Sequence, residues 1–275
     1  MLDFSVVTSV YKNDKTEYVR AAFDSMLVNQ SVKPNEIIII RDGFVSDDLE
    51  EFLKEYERKY SDVVRIIRLD SNKGLGNALM VGVECAKYEY IARMDSDDIC
   101  MPDRFFKQIS FFESNSDVDI VGGQISEFVE MPDNIIGKRI VPVLNVDIYD
   151  YMKSRCGFNH MTVMFKRKSV IEAGNYQDWF WNEDYYLWVR MMIKKCKFAN
   201  LSDILVNVRS GVEQYARRGG KRYFESEKGI KKLMLDNQII SKFEYYFYVA
   251  QRYIIQVLLP NKMRGWVYRM FARKK

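Results

Sequence analysis

The chain has 275 residues, of which 48% are hydrophobic and 29% charged. These are globular proportions, and they exclude disordered, collagen-like and low-complexity classes. The net charge of +4 hides an asymmetry, because residues 1–208 carry −7 and residues 209–275 carry +11. A mildly acidic body with a basic end points to an anionic partner for that end: phosphates, nucleic acid or a lipid surface.

The first 100 residues alternate strand and helix patterns. Phe4–Val10 reads as a short buried strand and Thr16–Val28 as an amphipathic helix that stops before Pro34. Glu36–Ile40 contains four consecutive isoleucines, the pattern of a strand covered on both faces. A charged helix over Asp47–Tyr60, a strand over Val64–Leu69, a helix over Leu75–Ala86 and a strand over Tyr88–Met94 follow. The β-α-β-α-β-α-β order predicts a largely parallel, doubly wound sheet. Ligands of such sheets bind at the carboxyl ends of the strands, here the loops 8–14, 41–46, 70–74 and 95–101. From Pro102, expected as the first residue of a helix, the pattern becomes α+β. Strands are predicted at Asp119–Gly123, Ile125–Val129 and Met161–Lys166, and helices at Ser169–Ala173 and Tyr185–Lys195, with a loop-rich stretch at 131–146. The last 65 residues read as helical and basic, with Phe243, Tyr246, Phe247, Ala250, Ile254 and Val257 at helical spacing. The organisation expected is one continuous domain: a nucleotide-binding half at 1–100, an acceptor half at 101–210, and a basic loop with amphipathic helices at 211–275.

Four cysteines (Cys85, Cys100, Cys156, Cys196) lie 15, 56 and 40 residues apart with no CxxC pair. That spacing argues against a zinc knuckle and for reduced thiols in a cytosolic protein. The N-terminus has no basic region before its apolar run, so no signal peptide is expected. No run of about 18 apolar residues predicts a membrane span.

The sharpest chemical feature is Asp95-Ser-Asp97-Asp98 after the fourth strand. Carboxylates two apart on such a loop suit one hard cation, Mg²⁺ or Mn²⁺. The alternative is an acidic turn in which Asp98 caps the following helix. Tyr11 on the first loop suits stacking on a base, or is an ordinary surface tyrosine. Lys73, on the third loop, meets ribose or phosphate, or only solvent. Glu183-Asp184 stands among Trp179, Phe180, Trp181, Tyr185 and Trp188, where aromatic planes can hold a sugar and desolvate a carboxylate. The plainer reading is a pair of helix-capping acids beside core aromatics. His160 is the only histidine. Arg217 and Arg218, with Gly219, Gly220, Lys221 and Arg222, combine cations with two flexible residues.

In chain order these strings resemble the family 2 glycosyltransferases of bacterial polysaccharide synthesis (capsule, O-antigen or exopolysaccharide), which are inverting enzymes with the GT-A fold. The resemblance rests on SVVTSVY from Ser5, EIIIIRDG from Glu36, NKGLG from Asn72, YIARMDSDD from Tyr90, MPDR from Met101, EDYYLW from Glu183 and RRGG from Arg217. It implies a mostly parallel doubly wound sheet joined to a smaller mixed α+β acceptor half. It implies Thr8, Tyr11, Asp42 and Lys73 on the nucleotide, Asp95 on ribose and metal, and Asp97 on metal. Asp184 becomes the catalytic base with Glu183 beside it, and Arg217 and Arg218 belong to a loop over the diphosphate. His160 and Trp181 fall beside the acceptor or its phosphate. The donor implied is a UDP-sugar carrying a hexose or N-acetylhexosamine. The acceptor implied is a saccharide, one carried on a polyprenyl diphosphate. The processive QxxRW string is absent, which favours single additions. The basic tail is expected to dock on an anionic membrane, placing the protein at the cytoplasmic face of the plasma membrane, with no nucleic-acid partner. Two other readings stand beside this one: a nucleic-acid-binding protein using the basic end, and a nucleotidyltransferase. The latter usually has a glycine-rich first loop, which the stretch from Thr8 to Asp14 lacks.

Overall fold

The computed structural model describes residues 1–211 and 219–259. Its first half follows the alternation: β1 (Phe4–Val10), α1 (Thr16–Met26), β2 (Glu36–Asp42), α2 (Asp47–Lys59), β3 (Val64–Leu69), α3 (Leu75–Cys85) and β4 (Tyr90–Arg93). Strand pairs β1–β2, β2–β3 and β1–β4 are parallel. The isoleucine run shows why the sheet is sealed on both sides. Ile37 and Ile39 enter the core formed with α1 and α2, while Ile38 and Ile40 enter the opposite core under α3. Fully burying each such side chain contributes about 1.5–3 kcal/mol.

The second half adds β5 (Ile99–Cys100), α4 (Arg104–Ser114), β6 (Ile120–Phe128), β7 (Ile135–Arg139), α5 (Asn145–Met152), β8 (Met164–Lys166), α6 (Arg167–Glu172), α7 (Glu183–Ile193) and β9 (Phe198–Arg209). Among the described residues one nine-stranded sheet runs β3-β2-β1-β4-β8-β6-β9-β5, with β7 beside β6. Beyond β4 the pairing turns mixed: β8 is antiparallel to both β4 and β6, and β9 is parallel to β6. Two helices close the described chain, α8 (Lys221–Asp236) and α9 (Lys242–Tyr253), and α9 runs into a π-turn over Ile254–Leu258. A Ser241–Glu244 capping box starts α9.

Several local expectations change. The two strands foreseen around Gly122-Gly123 are the single strand β6, and β7 lies inside the stretch expected to be loop. α5 and β9 were not foreseen. The helix after Pro102 begins at Arg104, and His160–Thr162 form a 3₁₀ turn ahead of the shorter strand β8. α7 begins at Glu183, two residues before the expected start, so both acids belong to its first turn. The segment around Arg217 and Arg218 and the basic stretch 260–275 lie outside the described residues.

Candidate active site

The four carboxyl-end loops are tied in pairs. The first and fourth meet where Ser96 Oγ donates to Asp14 Oδ2 at 2.9 Å. The second and third meet where the Lys73 and Gly74 amides donate to the two oxygens of Asp42, at 2.6 and 2.9 Å. Asp42, itself buried, therefore anchors the turn. Thr8, expected on the first loop, lies inside β1 instead. It is fully buried and its hydroxyl has no hydrogen-bond partner. Tyr11 stands just beyond the strand and is partly exposed, and Lys73 is exposed.

The three acids after β4 divide their work. Asp95 lines the cavity and is ion-paired to the buried guanidinium of Arg93. Asp98 points inward and accepts the Arg209 amide at 2.8 Å, which pins the end of β9 rather than capping α4. Asp97 reaches solvent with protein on most sides. Burial first, then the Asp95 charge, pushes its carboxyl up to about 6. Asp14 is pushed up to about 6 by burial, with Asp97 and Asp95 adding to the effect. Among the described residues no three metal-ligating side chains converge. A Mg²⁺-type ion does not require three, since one or two carboxylates plus substrate phosphates hold it. The oxygen-only pair Asp95 and Asp97, crowded by a third carboxylate, fits such an ion.

Across a cavity of about 570 Å³, Glu183 and Asp184 face the Asp95 side. Their position in the first turn of α7 places both carboxylates at the positive end of the helix dipole. Burial opposes that and prevails. Glu183 is pushed up to about 7 by burial and by Asp184, and burial raises Asp184 as well. Asp184 accepts from its neighbour's amide, Tyr185 N, at 2.7 Å and from the Cys156 thiol at 3.7 Å. Trp181 lies on the same wall in the left-handed region (φ 59°), half exposed. The other aromatics serve packing. Trp188 is buried against Phe158, His160, Phe165 and Tyr176. Trp179 stacks on Tyr186 at 3.9 Å and donates its Nε1 hydrogen to Ser226 O. Tyr185 donates to the Met152 carbonyl.

His160 lines the cavity with its Nε2 2.9 Å from the Tyr176 hydroxyl. Burial, and the nearby Arg93, hold the imidazole well below its usual range, so it is neutral at physiological pH. Sequence reasoning missed Arg93, two residues before Asp95. It also passed over the half-buried arginines on the far side of the cavity: Arg139, which donates to the Phe158 and Cys156 carbonyls and to Asn159 Oδ1, and Arg155 and Arg252.

Parallel loops bearing spaced aspartates, and an acidic helix start across one cavity, are the layout of a GT-A glycosyltransferase. Residues 5–174 match the model of glycosyl transferase family 2, and the chain belongs to that family. An uncharacterized glycosyltransferase of Haemophilus influenzae is 38% identical over 273 residues, covering 99% of this chain and 100% of that protein. The amylovoran biosynthesis glycosyltransferase AmsE of Erwinia amylovora is 39% identical, covering 84% and 85% of the two chains. An Escherichia coli UDP-Gal:α-D-GlcNAc-diphosphoundecaprenol β-1,3-galactosyltransferase is 33% identical, covering 98% and 97%. In three dimensions the chain resembles S. aureus TarS 1–349 in complex with UDP-GlcNAc, with TM-score 0.69, 14% identity and coverage of 92% and 73%. It also resembles a mannosyltransferase of Pyrobaculum calidifontis bound to GDP-Man and Mn²⁺, with TM-score 0.63, 14% identity and coverage of 100% and 76%. The protein is a family 2 glycosyltransferase.

Proposed function

We propose that this enzyme moves a hexose or N-acetylhexosamine from a UDP-sugar to a saccharide carried on a polyprenyl diphosphate, one sugar at a time, with inversion. The observation that carries this reading is the placing of Asp95 and Asp184 on one cavity of about 570 Å³, read as a leaving-group side and a base side. Asp184 takes the proton of the acceptor hydroxyl. The freed oxygen attacks the anomeric carbon, the bond from that carbon to the UDP oxygen breaks, and its electron pair leaves with UDP. One displacement inverts the centre. Burial raises the Asp184 carboxyl, which makes it a stronger proton acceptor for this step. Glu183, pushed up to about 7, keeps the neighbouring wall close to neutral.

Asp95 and Asp97 are the residues that would hold Mn²⁺ or Mg²⁺, whose charge offsets that of the leaving diphosphate. Arg93 orients Asp95 from below. Tyr11, Asp42 and Lys73 serve the uridine and ribose. Arg217 and Arg218 are assigned to the diphosphate on their sequence motif. The E. coli and S. aureus relatives support the choice of UDP-sugar, and the E. coli relative that of a lipid-linked acceptor.

The test is a panel of UDP- and GDP-sugars with Mn²⁺ or Mg²⁺ and a lipid-diphosphate acceptor, scored by nucleotide release and by the anomeric configuration of the product. A β-linked product from an α-linked UDP-sugar is expected. Retention of configuration, or release of GDP alone, contradicts the reading.

No helix among the described residues is long and apolar enough to cross a membrane. Attachment to the inner face of the membrane is assigned to residues 241–275. Lys242–Lys275 holds 8 basic residues and one acidic residue, each basic one contributing up to about 1 kcal/mol at an anionic surface. Flotation with anionic liposomes, lost when Phe243 and Phe247 are both changed to serine, is the expected result. Equal flotation of the two proteins rules out that face of α9.

A further inference from the structure

The cavity extends past the acid pair toward α9. Segment 153–156 leads there: Cys156 touches Asp184, and the Ser154 carbonyl accepts from Arg252 Nη2 at 2.7 Å. Two residues of chain span at most about 7 Å, roughly the reach of one sugar ring and its first phosphate. Arg155 lies between these points with its guanidinium 5.5 Å from the Tyr151 ring centre, and Arg155 and Arg252 both line the cavity. Arg252 is set in place by Glu227, whose Oε2 is 2.9 Å from its Nε, and the same oxygen accepts from Gln256 at 2.8 Å. Arg155 and Arg252 thus bring two guanidiniums to this end of the cavity. Lys231 stands behind it, donating to the Lys153 carbonyl and the Tyr185 hydroxyl. A guanidinium held in advance loses little freedom on meeting a phosphate.

α9 carries a second feature on its outer side. Phe243, Phe247, Ile254 and Leu258 are 80, 54, 52 and 60% exposed. Their spacing of 4, 7 and 4 residues places them on one face. Gln251 and Ile255, from the same continuous segment, line the cavity. The apolar stripe thus passes the cavity's rim, beside the two arginines. Contiguous apolar surface of this kind on a folded chain marks a site that binds something apolar.

Resting on the reading of a lipid-linked acceptor, we propose that this end of the cavity is the acceptor's diphosphate seat. Arg155 and Arg252 take the phosphate oxygens, and the lipid chain leaves along Phe247, Ile254 and Leu258. Cys156, next to Arg155 in the chain, touches Asp184, so the sugar joined directly to the diphosphate is assigned to the catalytic base. The substrate is a lipid-diphosphate monosaccharide, so the preceding reaction must be one that joins a sugar 1-phosphate to a lipid phosphate.

Binding tests this without turnover. Decyl diphosphate is titrated into the full-length protein with UDP present to fill the nucleotide side, and inorganic pyrophosphate serves as the headgroup alone. Arg155→Gln should weaken decyl diphosphate at least tenfold with an unchanged melting temperature. Phe247→Ser should weaken decyl diphosphate severalfold and pyrophosphate not at all. Arg252→Gln removes the charged partner of Glu227 and leaves it Gln256, so Arg252→Lys is measured beside it and should retain more affinity. Unchanged binding in Arg155→Gln overturns the seat. Equal affinity for pyrophosphate and decyl diphosphate in the wild type overturns its lipid part. Failure of the donor panel alongside arginine-dependent binding defeats the proposed reaction and leaves the seat standing. Transfer with undiminished binding in Arg155→Gln does the reverse.

Discussion

Asp184 holds its place through short-range contacts that an amide can largely reproduce. The carboxamide oxygen introduced by Asp184→Asn is able to accept from Tyr185 N as the carboxylate does. The substitution therefore preserves the first turn of α7 and removes the base. The expected outcome is a kcat lower by ~10²–10⁴, the range for losing a general base, with donor affinity within about twofold. Single-turnover rates and a UDP-sugar titration separate the two, and a collapse of donor binding would reassign the residue to metal or structure. The carboxylates were legible in the sequence because acids resist packing and stand out as strings. Their supports were not. Arg93 is 2% exposed, with Nε and Nη1 lacking hydrogen-bond partners, and its side chain is committed to Asp95. Nothing in a sequence says that an arginine is buried. Burial also separates Trp181, which faces the cavity, from Trp188, which the same aromatic cluster suggested and the core absorbed.

Helix α3 meets the approach to α7 with no space to spare. A Cβ on Gly76 would lie 2.5 Å from the Gln177 carbonyl oxygen and 3.3 Å from Glu183 Cβ. Gly76→Ala must therefore push α3 and the 177–183 segment apart, an overpacking that costs typically about 1–3 kcal/mol. We expect a lower melting temperature together with a lower kcat, because the displaced segment carries the acid pair. A melting temperature equal to the wild type's would show that the contact yields freely. The same physics explains one misread element. Gly122 and Gly123 look like a break between two strands, yet β6 runs straight through them. A Cβ at Gly122 would meet Asn200 Oδ1 at 2.3 Å, and one at Gly123 would meet Leu205 Cδ1 at 2.5 Å. Both glycines admit side chains of β9. That strand escaped notice for the complementary reason: Asn200, Ser202, Asp203 and Asn207 interrupt its apolar pattern. Asn200 Nδ2 donates inside to the Pro142 and Gly157 carbonyls, partners only the fold supplies. The first half was readable because each of its strands is a local apolar run in a parallel sheet. The second half pairs strands far apart in sequence, where local pattern is weak.

Charge is distributed across the whole molecule so that stability has a turning point near neutrality. Asp14 and Asp97 are pushed up to about 6, Glu183 to about 7, and Asp98 well above its usual range, burial being the first cause in each case. A carboxyl raised in the folded state binds protons that the unfolded chain has released. Its contribution is full below the unfolded value near 4 and is lost as pH rises through 6 to 7. Lys231 acts on the other side. Burial lowers it to about 7 from 10.5, so its ammonium penalises the fold below pH 7, and the penalty fades as pH rises toward 10. Without divalent metal the melting temperature should fall from pH 5 to 7 and recover from pH 7 to 9. Lys231→Met should flatten the alkaline limb alone. Mn²⁺ or Mg²⁺ competes with protons for Asp97, and binding to the folded state stabilises it by mass action. The melting-temperature gain from metal should therefore be larger at pH 7.5 than at pH 5, and Asp97→Asn should abolish most of it. Scanning calorimetry over this range, with and without the ion, measures all three effects. A metal gain equal at both pH values would mean that the ion is held elsewhere.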